Sequence, residues 1–254
     1  MTRDDPQRQL KYNGQTLACQ VQPGKTPGVM FLGGFGSDMT GSKASYLSEF
    51  CRNRGQAYVR FDYTGHGQSS GRFIEGTIGR WLDDATAVFD QMTAGPQILV
   101  GSSMGGWLMV LLALRRPERV VGLVGVAAGP DFTEELIWQT LAPEDRRRLV
   151  AEGVIYSPSD YGPAPTPYTL RLIEDGRRHL VLRQSIPFTG PVRLLHGLQD
   201  KDVPWQMSQR LSDAVQSDDV VVTLIKGGDH RLSTSQDLDR LGEAINEITS
   251  KLSD

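Results

Sequence analysis

The sequence predicts an α/β protein built on a mainly parallel sheet with helices on both faces. Three observations predict it. Short apolar runs recur at 29–32, 57–61, 97–100, 120–126, 192–195 and 220–225, most of them closed by glycine. Near-continuous runs of four to seven residues suit strands that are covered on both faces. Helical periodicity fills the gaps, and strand alternating with helix argues for a parallel, doubly covered sheet.

The elements follow in order. Gln9 to Tyr12 and Thr16 to Val21, joined through Asn13-Gly14, read as an antiparallel hairpin on the sheet edge. Ile78, Trp81, Leu82, Ala85, Val88, Phe89 and Met92 repeat at three and four, one apolar face of a helix opening near Thr77. Leu238, Leu241, Ile245, Ile248 and Leu252 do the same near the C-terminus. The connection over 129–190 is far longer than the 2–6 residues usual in α/β units. It reads as an inserted helical lid within a single domain spanning 1–254. It carries short helices at 144–152 and 169–179, with a bend rich in proline (Pro158, Pro163, Pro165, Pro167) between them.

Composition removes several function classes. Lys plus Arg is 27 and Asp plus Glu is 30, a net charge of −3, which leaves no basic footprint for nucleic acid. Hydrophobic residues are 39% and charged ones 22%, the balance of a folded globule rather than a disordered chain. No apolar run approaches the length of a membrane span. Cys19 and Cys51 lack any zinc-type spacing, so no metal or other cofactor is expected. The start MTRDDPQRQL has no apolar signal region, and a cytoplasmic location is the expectation. Oligomeric state is left open.

The chemistry centres on Gly101-Ser102-Ser103-Met104-Gly105, between a strand and an apolar helix. A nucleophile on a sharp strand-to-helix turn needs small residues two positions before and after it, and only Ser103 has glycine at both. A serine needs a base oriented by an acid. Of the four histidines, His230 follows the sixth run, at the strand edge where ligands bind in open α/β sheets. His196 reads as a packing residue under the site, His66 as a turn residue, and His179 as part of a solvated helix face. For the acid, Asp200 is preferred over Asp202, which is placed to cap a helix starting near Pro204 and Trp205. Asp229 reads as a turn former. Backbone N–H groups of Met104 and Phe35, the latter in Gly33-Gly34-Phe35-Gly36, are the candidate oxyanion donors.

The chain order Ser103, Asp200, His230, the turn from Phe61 through Gly65-His66-Gly67 to Ser69, and Leu32-Gly33-Gly34-Phe35 together resemble the α/β-hydrolase fold family over nearly the whole chain. Gly41-Ser42-Lys43-Ala44, Arg60-Phe61-Asp62-Tyr63, Gly101 to Met109 and Asp200-Lys201-Asp202-Val203-Pro204-Trp205 bring it nearer one branch. That branch is the acyl-protein thioesterases and acyl-glucuronide esterases known from animal mitochondria. In the branch, the acid matches Asp200 and the base His230. No presequence precedes the motifs, so a bacterial-type relative is expected.

The resemblance implies a serine hydrolase of an ester or thioester, with a small acyl substrate or an acylated protein as partner. Phe132, Trp138, Tyr156, Tyr161 and Tyr168 of the insertion are candidates for an acyl pocket or for the insertion's own small core. Arg146-Arg147-Arg148 and Arg177-Arg178 read as a solvated face rather than an anion site. A serine peptidase of the same fold, or a hydrolase-shaped binding protein without turnover, are the alternatives. A dehalogenase would carry an acidic residue where Ser103 stands.

Overall fold

A computed structural model describes residues 7–158 and 164–252. Strand β1 (Gln7–Tyr12) and β2 (Gln15–Gln22) form the expected hairpin, with Asn13 and Gly14 at φ +45° and +73° in the turn. Positive φ at both central residues lets a two-residue turn match strand twist, which is why Asn-Gly stands there. β3 (Lys25–Leu32), β4 (Gln56–Phe61), β5 (Gln97–Ser102) and β6 (Val120–Val126) follow. After a separate two-stranded pair, β7 (Val154–Ser157) with β8 (Thr166–Thr169), come β9 (Val192–Gly197) and β10 (Val220–Ile225). The eight-stranded sheet runs β1-β2-β4-β3-β5-β6-β9-β10. It is antiparallel as far as β4 and parallel beyond it.

Helices α1 (Ser42–Arg54), α2 (Ile78–Met92), α3 (Met104–Arg115), α4 (Pro143–Glu152), α5 (Leu170–Gly176), α6 (Gln206–Ala214) and α7 (Ser235–Lys251) complete the chain. Side chains alternate across a strand, so each central strand feeds two cores. Val29, Phe31, Ile98, Val100 and Val124 pack with Leu47 of α1 and Ile245 of α7. Met30, Leu32, Leu99 and Leu123 pack on the other side with Val88 of α2 and Leu108 of α3. Covering both faces is what made these runs apolar throughout. The sixth run differs: β10 is the sheet edge and leaves Val221 and Leu224 more than 40% exposed. Two caps fix helix starts as the sequence implies. Thr77 accepts from the Arg80 N–H, and Thr234 with Asp237 forms a reciprocal box at α7.

The 129–190 connection holds more than two helices. It opens with a π-helical turn, Thr133–Trp138, and contains the β7–β8 pair that periodicity does not reveal. The expected helix over 169–179 stops at Gly176 and passes into a tighter turn, Arg177–His179. Ile137, Leu149, Ile155 and Ile173 form its own buried cluster. Asp131 lies fully buried at φ +58°, and its carboxylate accepts from the N–H groups of Val181 (2.8 Å) and Leu182 (2.9 Å). That one side chain fastens the start of the segment to its end. Tyr161 and Pro163 lie outside the described residues.

Candidate active site

β5 delivers Ser103 to the C-terminal edge of the sheet at φ +53° and ψ −120°. A non-glycine residue pays for such a conformation, so its surroundings must hold it there. The Ser103 N–H donates to the Val126 carbonyl (3.0 Å), and the Ser103 carbonyl accepts from the N–H groups of Gly106 and Gly129. The flanking glycines explain themselves. A Cβ on Gly101 would land on the Gly105 carbonyl, and one on Gly105 would land on the carbonyl of Leu32 in β3. Behind the turn, α3 is buried from Met104 through Ala113, which leaves the elbow little freedom to relax.

Two other strand ends meet it. His230 follows β10 and Asp200 follows β9, and the three side chains form one row. His230 Nε2 lies 3.1 Å from Ser103 Oγ, and its Nδ1 lies 2.8 Å from Asp200 Oδ2. A carboxylate only accepts, so Nδ1 carries the proton and Nε2 presents its lone pair to the serine hydroxyl. Asp200 Oδ1 accepts from the N–H groups of Asp202 and Val203, both at 2.9 Å. Burial pushes the Asp200 carboxyl up, but hydrogen bonds from His196 and His230 outweigh it and hold the group well below the usual carboxylate range.

His196 packs beneath the site, fully buried. Its Nε2–H donates to the Val203 carbonyl (2.9 Å) and lies 3.3 Å from Asp200 Oδ2, while Nδ1 accepts from Ser208 (2.7 Å). Asp202 is exposed and does not cap α6, which begins at Gln206 with Trp205 before it. Its main-chain N–H serves Asp200 instead. Asp229 is the turn former, accepting from the Leu232 N–H at 3.0 Å. Ligand atoms of Asp200, Asp202 and His230 approach within 4.8 Å of one another, the spacing of a metal site. Both ring nitrogens of His230 are already committed, one to Asp200 and one to Ser103, so the donor set fits an acid–base pair better than a metal.

Phe35 and Met104 flank the serine, and neither N–H donates to another described residue. For Met104 this follows from its place at the first turn of α3, where no preceding carbonyl is available. His66 is buried in the turn after β4. Its Nδ1–H donates to the Thr64 carbonyl, and its Nε2 accepts from the Gly36 N–H (3.1 Å). Burial drives its pKa down to about 4 against the pull of the Thr64 carbonyl, so the ring stays neutral.

A cavity of about 650 Å³ opens beside Ser103 and His230. Phe35, Phe73, Pro165 and Pro167 make its apolar wall, while Ser37, Thr40, Lys43 and Arg231 make its polar wall. Lys43, at the start of α1, donates its ammonium to the Arg231 carbonyl and so braces the His230 loop. Burial lowers its pKa to about 8. The aromatic candidates fall in three places. Tyr168 and Phe132 pack against the Phe35 ring, at 5.9 and 5.7 Å between centroids. Trp138 faces a separate hollow with Arg146, Arg147 and Val150, and Tyr156 on β7 is 59% exposed. The structure therefore does not bring Trp138 or Tyr156 to the serine, because β7 and the π-helical turn direct them outward. The arginines of the 129–190 segment pair locally or face solvent: Arg177 meets Glu134 at 2.7 Å, and Arg148 meets Asp145 at 3.4 Å. Sequence reasoning left Ser37 and the Lys43–Arg231 brace unassigned; Ser37 sits beside a quoted motif and bonds back to Gly34 within it, whereas Lys43 lies in a quoted motif but meets a partner far away in the chain.

Comparison with known proteins agrees with this fold. A family model described as serine aminopeptidase, S33 (Hydrolase_4) matches residues 28–150. The mouse protein named palmitoyl-protein thioesterase ABHD10, mitochondrial, is 43% identical over 240 residues, covering 93% of this chain and 80% of the mouse chain. The solved mouse α/β hydrolase domain-containing protein 10 superposes with a TM-score of 0.90 at 39% identity, covering 97% and 99% of the two chains. A putative hydrolase from Agrobacterium vitis S4 gives 0.92, also at 39% identity, over 97% of this chain and 99% of its own. The fold and these likenesses define a hydrolase of the esterase or thioesterase type. The chain belongs to the α/β-hydrolase family, in the branch that contains ABHD10.

One expectation is overturned. The mouse, bovine and human relatives are named mitochondrial, against the cytoplasmic location expected from the sequence. Two buried free cysteines fit any reducing compartment, so they do not discriminate between the two.

Among the described residues no helix is long and apolar enough to cross a membrane.

Proposed function

We propose that the protein hydrolyses acyl thioesters, including acyl groups carried on protein cysteines, and related esters, with Ser103 as nucleophile, His230 as general base and Asp200 as the orienting acid. The observation that carries this is the hydrogen-bonded row Ser103 Oγ–His230 Nε2 and His230 Nδ1–Asp200 Oδ2. Ser103 Oγ attacks the acyl carbon as its proton passes to His230 Nε2. The carbonyl oxygen becomes an oxyanion that receives the N–H groups of Phe35 and Met104. Collapse breaks the C–S or C–O bond, and the leaving thiol or alcohol takes the proton from His230. Water then repeats the cycle on the acyl-serine: His230 takes its proton, hydroxide adds, and the acid departs as Ser103 regains its hydrogen.

No step of this cycle requires a cofactor. The ionised Asp200 favours the imidazolium formed at each step without itself taking the proton.

The 129–190 segment acts as a lid, since its Pro165, Thr166 and Pro167 complete the cavity wall. Apolar residues on one wall suit the acyl chain, and the open polar rim leaves room for a large leaving group. The cavity argues against a peptidase that grips a free amine. Its acidic residue, Asp38, is occupied by the N–H and hydroxyl of Thr40, and Lys43 and Arg231 stand nearby.

The test is a fluorophosphonate probe together with a panel of acyl thioesters and p-nitrophenyl esters of graded length. Native protein is expected to label and turn over, and Ser103→Ala to do neither, with kcat down by about 10⁶-fold. A native protein that binds these acyl compounds without labelling or turnover would replace the enzyme with a binding protein.

A further inference from the structure

We propose that Ser37 and His66 are positioning residues for the oxyanion site: they fix the two peptide planes flanking Phe35 and so aim the Phe35 N–H at the substrate oxygen. The inference rests on the reading of that N–H as an oxyanion donor. The loop 33–36 contains three glycines, so its backbone has wide freedom unless something outside it sets each peptide plane. In a planar trans peptide the carbonyl and the N–H point in opposite directions. The Gly34 carbonyl accepts twice from Ser37, from its N–H (3.2 Å) and its hydroxyl (2.8 Å). The N–H at the other end of that plane belongs to Phe35, and it is thereby turned away from Ser37. On the far side of Phe35, the Gly36 N–H donates to His66 Nε2 at 3.1 Å, with Gly36 at φ +72°.

His66 is itself immobile. Its Nδ1–H is tied to the Thr64 carbonyl, and its ring is boxed by Tyr63, Phe73 and Trp81 at centroid distances of 5.6, 5.0 and 5.2 Å. Because burial keeps the ring neutral, Nε2 retains the lone pair the Gly36 N–H requires. Packing of the Phe35 ring on Phe73, Trp81, Phe132 and Tyr168 sets where the residue sits. It does not set the rotation of the peptides on either side; the two hydrogen-bonded planes do.

Ser37→Ala and His66→Leu test the claim, with Ser37→Thr and His66→Gln as variants that keep a hydroxyl donor and an acceptor. Each protein is assayed for kcat and KM on an acyl thioester and for the affinity of two inhibitors with the same chain. One is a trifluoromethyl ketone, which forms a tetrahedral oxyanion adduct with Ser103; the other is a thioether with methylene in place of the carbonyl. Ser37→Ala is expected to lower kcat roughly 10-fold, below the loss from deleting a donor outright, with KM and thioether affinity unchanged. Trifluoromethyl ketone affinity falls in step with kcat, and the conservative variants recover most of the loss. His66→Leu also removes packing, so the exposed Ser37→Ala carries the decision. An unchanged kcat in Ser37→Ala, or equal weakening of both inhibitors, overturns the proposal. Ser103→Ala separates the two levels. If it stays active, the reading of the site itself falls; if it is inactive while Ser37→Ala is normal, only the positioning role falls.

Discussion

The sheet edge that carries Ser103, Asp200 and His230 and the segment between β6 and β9 are built to different standards. Leu99, Val100, Trp107, Leu108 and Met109 around the serine are wholly buried between two helical layers. The segment shelters a cluster of four buried aliphatic residues and leaves Val150 and Tyr156 more than half exposed. The three side chains proposed to react come from the ends of buried strands or the edge strand beside them, and the described residues of the segment supply cavity wall. The contrast matches the two tasks. The proposed proton relay tolerates little error in distance, while the proposed acyl pocket has to admit its load.

After the loss expected from Ser103→Ala, the largest effect on the rigid side is at the acid. Asp200→Asn should lower kcat by about 10³–10⁴-fold, because the amide leaves His230 in the wrong tautomer, whereas Asp202→Asn should change it only a few-fold. Steady-state kinetics on one thioester decides it; equal losses would spread the acid over both residues. Next come two cavities. Leu99→Ala and Ile173→Ala each delete a wholly buried aliphatic side chain, at a cost of about 2–5 kcal/mol. Leu99→Ala should lower the global melting transition. Ile173→Ala should chiefly speed hydrogen exchange within the segment and raise KM with kcat preserved. A global loss from Ile173→Ala as large as that from Leu99→Ala would erase the distinction between the two regions.

The smallest effect is in acid. His66 is held neutral with a pKa near 4, below the roughly 6.5 of an unfolded histidine. Between those values the unfolded chain binds a proton that the native chain refuses, so stability falls as pH drops from about 6.5 to 4. The urea midpoint should therefore fall more in the native protein than in His66→Leu over that window. Asp62, Asp84 and Asp131, whose carboxyls burial pushes upward, are common to both proteins and cancel in the difference. Parallel midpoints would show that His66 takes up its proton without loss of structure.

Much of the rigid side was legible because its constraints are local. Gly101 and Gly105 are written into one turn, and the two-faced burial of β3 and β5 shows directly as unbroken apolar residues. The order of Ser103, Asp200 and His230 carried the rest. What escaped depended on partners far away in the chain. Nothing local distinguishes β10, apolar but for Thr223 yet at an edge, from a central strand. Arg193 interrupts an apolar strand yet is buried, because Asp219 and Glu247 reach it at 3.0 and 2.7 Å. The β7–β8 pair owes its existence to a segment folding on itself, and Trp138 is drawn outward by the π-helical turn Thr133–Trp138. Phe132, Trp138 and Tyr156 share an aromatic character that says nothing about direction.

The start of the segment is moored to the floor beneath the serine, and its end is moored to its start. The Ser103 carbonyl takes the Gly129 N–H, and Asp131 takes the amides of Val181 and Leu182. On the lid reading proposed above, opening leaves these moored residues in place, like a hood above a fixed collar. Acyl chains can come and go while the attacking oxygen keeps its posture.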